Sequence, residues 1–186
     1  MKIILASKSP RRREILESYG FEVEVVSSAP ELPADSPLTP EEEVAYLALE
    51  KGLDAEKKYP DLPVVSADTV VVMGDEVMGK PRDREDAYRM LSMYSGKVHR
   101  VLTAYTLFYK GQRYSRVVST EVTFYPLTDE EINAYIDTNE CYDKAGSYGI
   151  QGLGSYLVKE IKGDYLNVVG FPLADFCHTL KEIGLK

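Results

Sequence analysis

Met1-Lys2-Ile3-Ile4-Leu5-Ala6-Ser7-Lys8-Ser9-Pro10-Arg11-Arg12-Arg13 opens the chain with an apolar run that gives way at once to a basic, hydroxyl-rich turn. Ile3-Ile4-Leu5 has the character of a buried strand. Ser9-Pro10 reads as a helix start, with serine at the N-cap and proline at the first helical position. The helix runs from Arg11 to about Tyr19 and stops before Gly20. A strand that turns directly into a helix N-terminus aims backbone N–H groups into the turn and favours an anion there. Ser7, Lys8, Ser9 and Arg11 to Arg13 add hydroxyls and cations to the same place. The helix dipole disfavours cations in a first turn. Three arginines there therefore oppose local stability and point to a compensating function, such as a bound phosphate. A solvated basic patch is the plainer reading of the same residues.

Composition narrows the class. A chain of 186 residues, 44% hydrophobic and 28% charged, suits one globular domain or two small lobes with an ample core. Its net charge of −8 repels nucleic acid and anionic membranes, so neither is an expected partner. The basic N-terminal cluster then fits a small anion better than a long polyanion. Cys141, Cys177, His99 and His178 have no metal-site spacing, and two cysteines make no disulfide framework. No signal-peptide pattern and no apolar run of membrane-spanning length is found, so a cytoplasmic location is expected.

Further along, Glu22 to Ser27 alternates like a half-buried strand. Ser28 to Leu38 is a proline-rich loop with Glu31 and Asp35 as its acids. Thr39-Pro40-Glu41-Glu42 is a capping box that opens a helix to about Lys58. Val64 to Val72 is the most β-prone run in the chain, yet Asp68 lies in its middle. An ionised carboxylate in a dry core costs several kcal/mol unless it is paired. Asp68 should therefore face a cleft or a cation. Asp83 can cap a helix over Arg84 to Tyr94, and Thr128 to Glu131 forms a second capping box. Val98 to Tyr109 and Gln112 to Tyr125 form a hairpin around Lys110-Gly111. The segment Asp143 to Gly154 carries four glycines and is irregular. Tyr156 to Ile161 and Tyr165 to Val169 read as strands around Lys162-Gly163-Asp164, and a helix from Pro172 to about Ile183 closes the chain. Mixed hairpins and βα units give an α/β (mixed α+β) fold on a mixed sheet.

Gly74 to Lys80 nearly matches a P-loop, but Pro81 replaces the required Ser/Thr and no helix starts at Lys80. Lys80 can still meet a phosphate as a single cation. Gln151 can read a base through its amide, or simply be solvated. His99, alone in a strand, reads as structural. Asp68 is the leading candidate acid, and carboxylates beside phosphate commonly work through a divalent cation.

Ala6-Ser-Lys-Ser-Pro-Arg-Arg12, Ala67-Asp-Thr-Val-Val71, Gly79-Lys-Pro-Arg-Asp83, Ser95-Gly-Lys-Val-His99, Asp143-Lys-Ala-Gly-Ser-Tyr-Gly-Ile-Gln-Gly152, Gly163-Asp164 and Val169-Gly-Phe-Pro172 occur in this order along nearly the whole chain. Together they resemble the Maf family of nucleoside triphosphate pyrophosphatases. The resemblance implies a single domain over residues 1–186 with an inosine triphosphate pyrophosphatase-like fold. That fold has a long mixed sheet flanked by helices, a cleft between two lobes, and often a homodimer. It implies hydrolysis of a nucleoside triphosphate to monophosphate and pyrophosphate with magnesium or manganese. By matching motif positions, Asp68 is the implied proton acceptor and a metal ligand, with Glu31 as the second ligand. Arg12, Thr69 and Gln151 are tied to nucleotide selection, and Ser7, Ser9, Arg11, Lys51 and Lys80 to the triphosphate. The form of the glycine-rich motif is similar to that of the dTTP/UTP branch. The family's association with inhibition of septum formation gives a second expectation, a nucleotide-binding regulator without turnover. Departures are Gly52, where alanine is usual and a glycine should loosen the helix, Ser66, where glycine is commoner, Tyr94, where leucine is usual, and Glu31, where relatives often carry a pair of acids.

Overall fold

Ile3, Ile4, Leu5 and Ala6 are completely buried in strand β1 (Lys2–Ala6). β1 lies parallel to β2 (Glu22–Val25) on one side and to β3 (Val64–Met73) on the other. Parallel strands covered on both faces need unbroken apolar runs, which explains why this one does not alternate. Helices α1 (Pro10–Ser18) and α2 (Pro40–Lys58) connect successive strands of this parallel set. The remaining strands are β4 (Glu76–Met78), β5 (Val98–Tyr109), β6 (Gln112–Phe124) and β7 (Val158–Lys162). This computed structural model, which describes residues 1–27 and 37–186, has a mixed sheet ordered β2-β1-β3-β5-β6-β7, with β4 paired to β3. The fold is mixed α/β, as expected. The chain divides into two compact units, and β3, β5 and β6 contribute residues to both.

The first unit holds Met1–Thr69, Thr103–Val118 and Gly170–Lys186. Its core joins Ile4, Ala6, Ala55, Val64 and Phe108, with Leu49, Leu53 and Tyr59 packed against it. The capping box forms as read. Thr39 Oγ1 accepts from Glu42 N at 3.3 Å, and Glu42 Oε2 accepts from Thr39 N at 2.8 Å. Val44, Ala48, Gly52 and Ala55 make the buried stripe of α2. Gly52 has a packing reason to be glycine: a Cβ there would lie 2.1 Å from Phe108 Cε2 and 2.7 Å from Ser66 Oγ. The glycine expected to loosen the helix instead lets it approach β3 and β5 closely. At the hairpin tip Lys110 (φ 49°) and Gly111 (φ 73°) are both left-handed, as a type I′ turn requires. Helix α6 (Leu173–Glu182) closes the unit through Phe176, whose ring lies 5.2 Å from Phe171 and 5.6 Å from Tyr105.

The second unit holds Val70–Leu102 and Ser119–Val169. Helices α3 (Arg84–Tyr94) and α4 (Asp129–Asp137) start at the caps read from the sequence, Asp83 and Thr128. Tyr94, His99, Phe124 and Tyr148 form its aromatic core, and His99 Nε2 lies 2.6 Å from Tyr148 Oη. Burial pushes the His99 imidazole down to about 3, so the ring is neutral and structural, as expected. One element departs from the sequence reading. Tyr165–Val169 is not a strand but a short helix, α5. Asp164 Oδ1 accepts from Leu166 N at 2.8 Å and Asn167 N at 3.3 Å, capping the turn. Asn167, fully buried, donates to Val101 O and to Thr120 Oγ1, both at 3.0 Å. A strand through this segment would forfeit the cap and the two buried bonds, which outweigh the β propensity of Tyr and Val.

Candidate active site

The turn between β1 and α1 is built around Arg12. Its Nη1 donates to Ser7 Oγ at 2.9 Å, its Nη2 to Thr69 Oγ1 at 3.0 Å, and its Nε to Gly170 O at 2.9 Å. Both Arg12 and Ser7 are buried. Burial pulls the Arg12 guanidinium down to about 10, against the opposing pull of the Asp68 carboxylate, and it remains a cation at neutral pH. Thr69 Oγ1 also lies 2.9 Å from Thr103 Oγ1. Ser9 stands at the N-cap of α1 with extended backbone, but its hydroxyl makes no capping bond. The turn is held from Ser7 instead, whose Oγ accepts from Ser9 N at 3.3 Å. The three arginines thus separate into different roles. Arg12 ties the turn together, Arg13 is an exposed partner of Glu17 at 2.7 Å, and Arg11 is half-buried beside them.

Asp68, in the middle of β3, meets the cation its position demands. Lys51 Nζ from α2 pairs with Asp68 Oδ1, and both side chains are mostly buried. Lys51 directly precedes Gly52, where α2 lies close against Phe108 and Ser66. Lys51, expected along the triphosphate, is therefore also the counter-ion of the candidate base. A partly buried pair of this kind holds a carboxylate in one orientation.

Lys80 and Gln151 belong to the second unit, and both are exposed. The P-loop-like stretch is a turn at Gly74-Asp75 followed by β4, which agrees with its rejection. Gly146 N donates to Gly79 O at 3.0 Å, joining the glycine-rich loop to the residue before Lys80. Gly146 (φ 75°) leaves no room for a side chain, since a Cβ would lie 2.6 Å from Val71 Cγ2. The loop continues through short helical turns at Ala145–Ser147 and Leu153–Leu157. Gln151 stands exposed between buried Ile150 and exposed Gly152.

The first unit therefore gathers Ser7, Arg12 and Thr69 in one network and pairs Lys51 with Asp68, with Ser9 and Arg11 on the same turn. Glu31 lies outside the described residues. Among the described residues no group of three or more His, Cys, Asp or Glu is gathered as a metal cluster. Gly170 and Thr103 were not singled out from the sequence. The pointer to Gly170 was its place in the Val169-Gly-Phe-Pro172 motif, while nothing local marks Thr103. No helix of the described residues is long and apolar enough to cross a membrane.

A helix N-terminus, a buried arginine and a strand-borne carboxylate paired to lysine are thus set together in a mixed α/β protein. The match with the Maf-like protein family model spans residues 2–183, and the chain belongs to that family. A dTTP/UTP pyrophosphatase of Halalkalibacterium halodurans is 47% identical, over 99% of this chain and 97% of its own length. The dTTP/UTP pyrophosphatase of Bacillus velezensis is 43% identical, over 100% and 98%. Among solved structures, a HAM1 protein from Coxiella burnetii superposes with a TM-score of 0.52 over 98% of this chain and 99% of its own, at 13% identity. That likeness concerns the fold alone, and it agrees with the inosine triphosphate pyrophosphatase-like architecture expected.

Proposed function

We propose that this protein hydrolyses dTTP and UTP to the nucleoside monophosphate and pyrophosphate. The observation that carries the reading is the Lys51–Asp68 pair, a held carboxylate beside the Arg12 network, in a chain 47% identical to a dTTP/UTP pyrophosphatase. In this reading Asp68 takes a proton from a water as its oxygen bonds to the α-phosphorus. The bond from the α-phosphorus to the bridging oxygen breaks, and pyrophosphate leaves with the electron pair. Lys51 keeps the Asp68 carboxylate oriented toward the water. Arg11, Lys80 and the N–H groups opening α1 offset charge on the β and γ phosphates as the leaving group departs. Arg12, with its donors directed at Ser7, Thr69 and Gly170, shapes the turn that receives the nucleotide. Ser7 and Ser9 face that turn, and Gln151 pairs its amide with the O4/N3 edge of uracil or thymine.

Of the described residues, Asp68 is the carboxylate that would hold a divalent cation, beside its pairing with Lys51. Such ions are commonly held by one or two carboxylates together with substrate phosphate oxygens, and Asp68 is a carboxylate of that kind. Glu31 is the second proposed ligand. Magnesium or manganese bound there would supply charge neutralisation at the phosphates.

The test is pyrophosphate release by purified protein with magnesium or manganese, across dTTP, UTP, CTP, dATP and GTP. Selective release from dTTP and UTP, nearly abolished in an Asp68→Asn protein that still folds, is the expected result. Near wild-type turnover in Asp68→Asn overturns the base assignment. Tight binding without release from any nucleotide overturns the enzymatic reading in favour of a regulator.

A further inference from the structure

Glu140 lies just after α4, outside every motif assigned above, and its carboxylate is spent on the loop that carries Gln151 and on Tyr135 of α4. Oε2 accepts from Leu153 N at 2.9 Å, and Oε1 accepts from Gly154 N at 3.1 Å and from Tyr135 Oη at 3.0 Å. Tyr135 Oη in turn accepts from Gly149 N at 3.1 Å. The loop is thus fastened on both sides of Gln151, at Gly149 before it and at Leu153-Gly154 after it. The glycines of the loop are shaped to this arrangement. A Cβ at Gly152 would lie 2.3 Å from Glu140 Oε2, and one at Gly154 would lie 2.3 Å from Gly149 O. Neither residue has a left-handed backbone, so close approach and not φ is what demands glycine there. Lys144 braces the same residue from behind, its Nζ donating to Glu140 O at 2.8 Å.

We propose that Glu140, with Tyr135, is a positioning residue for nucleotide selection: it fixes the Gly149–Gly154 loop so that the Gln151 amide meets the base in one place. The inference rests on the proposed role of Gln151 in base reading. An amide discriminates a uracil from a cytosine edge only if its position is fixed, because a mobile amide can turn to satisfy either. Burial alone would raise the Glu140 carboxyl, but the N–H groups of Leu153 and Gly154 and the Tyr135 hydroxyl outweigh it and hold the group below its ordinary range. The acceptor is therefore charged at neutral pH, and charge-assisted bonds to backbone N–H are among the stronger ones available.

The experiment compares kcat and KM for UTP and CTP in wild type, Glu140→Gln, Tyr135→Phe, Gln151→Ala and the double variant Glu140→Gln/Gln151→Ala. Glutamine keeps the size that fits against Gly152 but presents an N–H₂ to a backbone N–H, so at least one of the three bonds is lost. The expected result is a roughly tenfold fall in the UTP-over-CTP ratio of kcat/KM, from the loss of about one charge-assisted bond. It should come through a higher KM for UTP, with kcat within about twofold and a melting temperature only a few degrees lower, as the loss of one bond implies. Tyr135→Phe should shift the ratio in the same direction, by less. The double variant should discriminate no worse than Gln151→Ala alone, because both changes disable one device. If Gln151→Ala lowers the ratio while Glu140→Gln leaves it unchanged, the positioning role is wrong and the base-reading role stands. If Gln151→Ala leaves the ratio unchanged, the base-reading assignment itself fails. An equal loss of kcat for every nucleotide in Glu140→Gln, together with a lowered melting temperature, reduces Glu140 to a fold support and overturns the proposal.

Discussion

Gly52→Ala sets helix propensity against packing, and the structure decides the sign. Position 52 is interior to α2, where replacing glycine by alanine gains about 1 kcal/mol. Judged on the helix alone, the variant should be more stable. The added Cβ, however, meets Phe108 Cε2 at 2.1 Å and Ser66 Oγ at 2.7 Å. Phe108 is 1% exposed and Ser66 is fully buried, so relieving the contact means shifting a packed ring or the backbone. Overpacking of this kind costs about 1–3 kcal/mol, and a contact this short between buried groups belongs at the upper end. The net expectation is a loss of about 1–2 kcal/mol, or roughly 2–8 °C in melting temperature for a chain of this size. The substitution should also push Lys51, the preceding residue of α2, away from Asp68, so kcat should fall. Ser66→Gly alone removes the bond from Ser66 Oγ to Ala48 O, worth about 1 kcal/mol. Combined with Gly52→Ala it removes one of the two clashes, so the double variant should be more stable than the sum of the singles by about 1 kcal/mol. Gly52 and Ser66 set a residue without a side chain against a larger one across this contact. Calorimetry and urea unfolding of the three variants measure both terms. A Gly52→Ala protein more stable than wild type would refute the packing account.

Arg12→Lys places one ammonium where a planar fork reaches three acceptors, and a lysine cannot span Ser7, Thr69 and Gly170 together. A stability loss of about 2–3 kcal/mol in urea unfolding is expected, with a kcat/KM for dTTP at least about tenfold lower; retention of both would show that the network does not hold the turn. His99 gives a pH dependence of stated sign. Its folded-state value is lowered to about 3 from an ordinary 6.5, so the unfolded chain binds the proton first. Its contribution is complete above about pH 6.5 and is lost as pH falls toward 3, at about 1.4 kcal/mol per unit. Between pH 6.5 and 4.5, His99→Gln should lose about 2.5 kcal/mol less stability than wild type. Equal slopes in the two proteins, measured by urea unfolding across that range, would remove His99 as the source.

Elements set by local chemistry were legible. Thr39 with Glu42 and Thr128 with Glu131 start helices because cap and partner lie three residues apart, within reach of one turn. Lys110-Gly111 makes its hairpin because two adjacent residues can supply the two left-handed conformations. The segment Tyr165–Val169 was misread for the converse reason. Its side chains favour a strand, and the buried bonds from Asn167 that favour a helix end on Val101 and Thr120, far away in the chain.

The candidate site divides along the same line. That Asp68 needs a cation follows from the sequence, because a carboxylate within an apolar strand is costly wherever that strand lies. That the turn after β1 invites an anion follows from the order of strand, hydroxyls and helix start. Which cation meets Asp68 is a matter of how α2 packs on β3, where Gly52 lies close against Phe108 and Ser66. Arg12 reaches across 158 positions to Gly170, and Glu140 closes on Gly154 across fourteen. Contacts of that separation leave no periodic trace, because each satisfies its partner through space and constrains only one residue at either end. The sequence by itself determined the chemistry this chain carries; the tertiary structure decided which groups hold one another in position to use it.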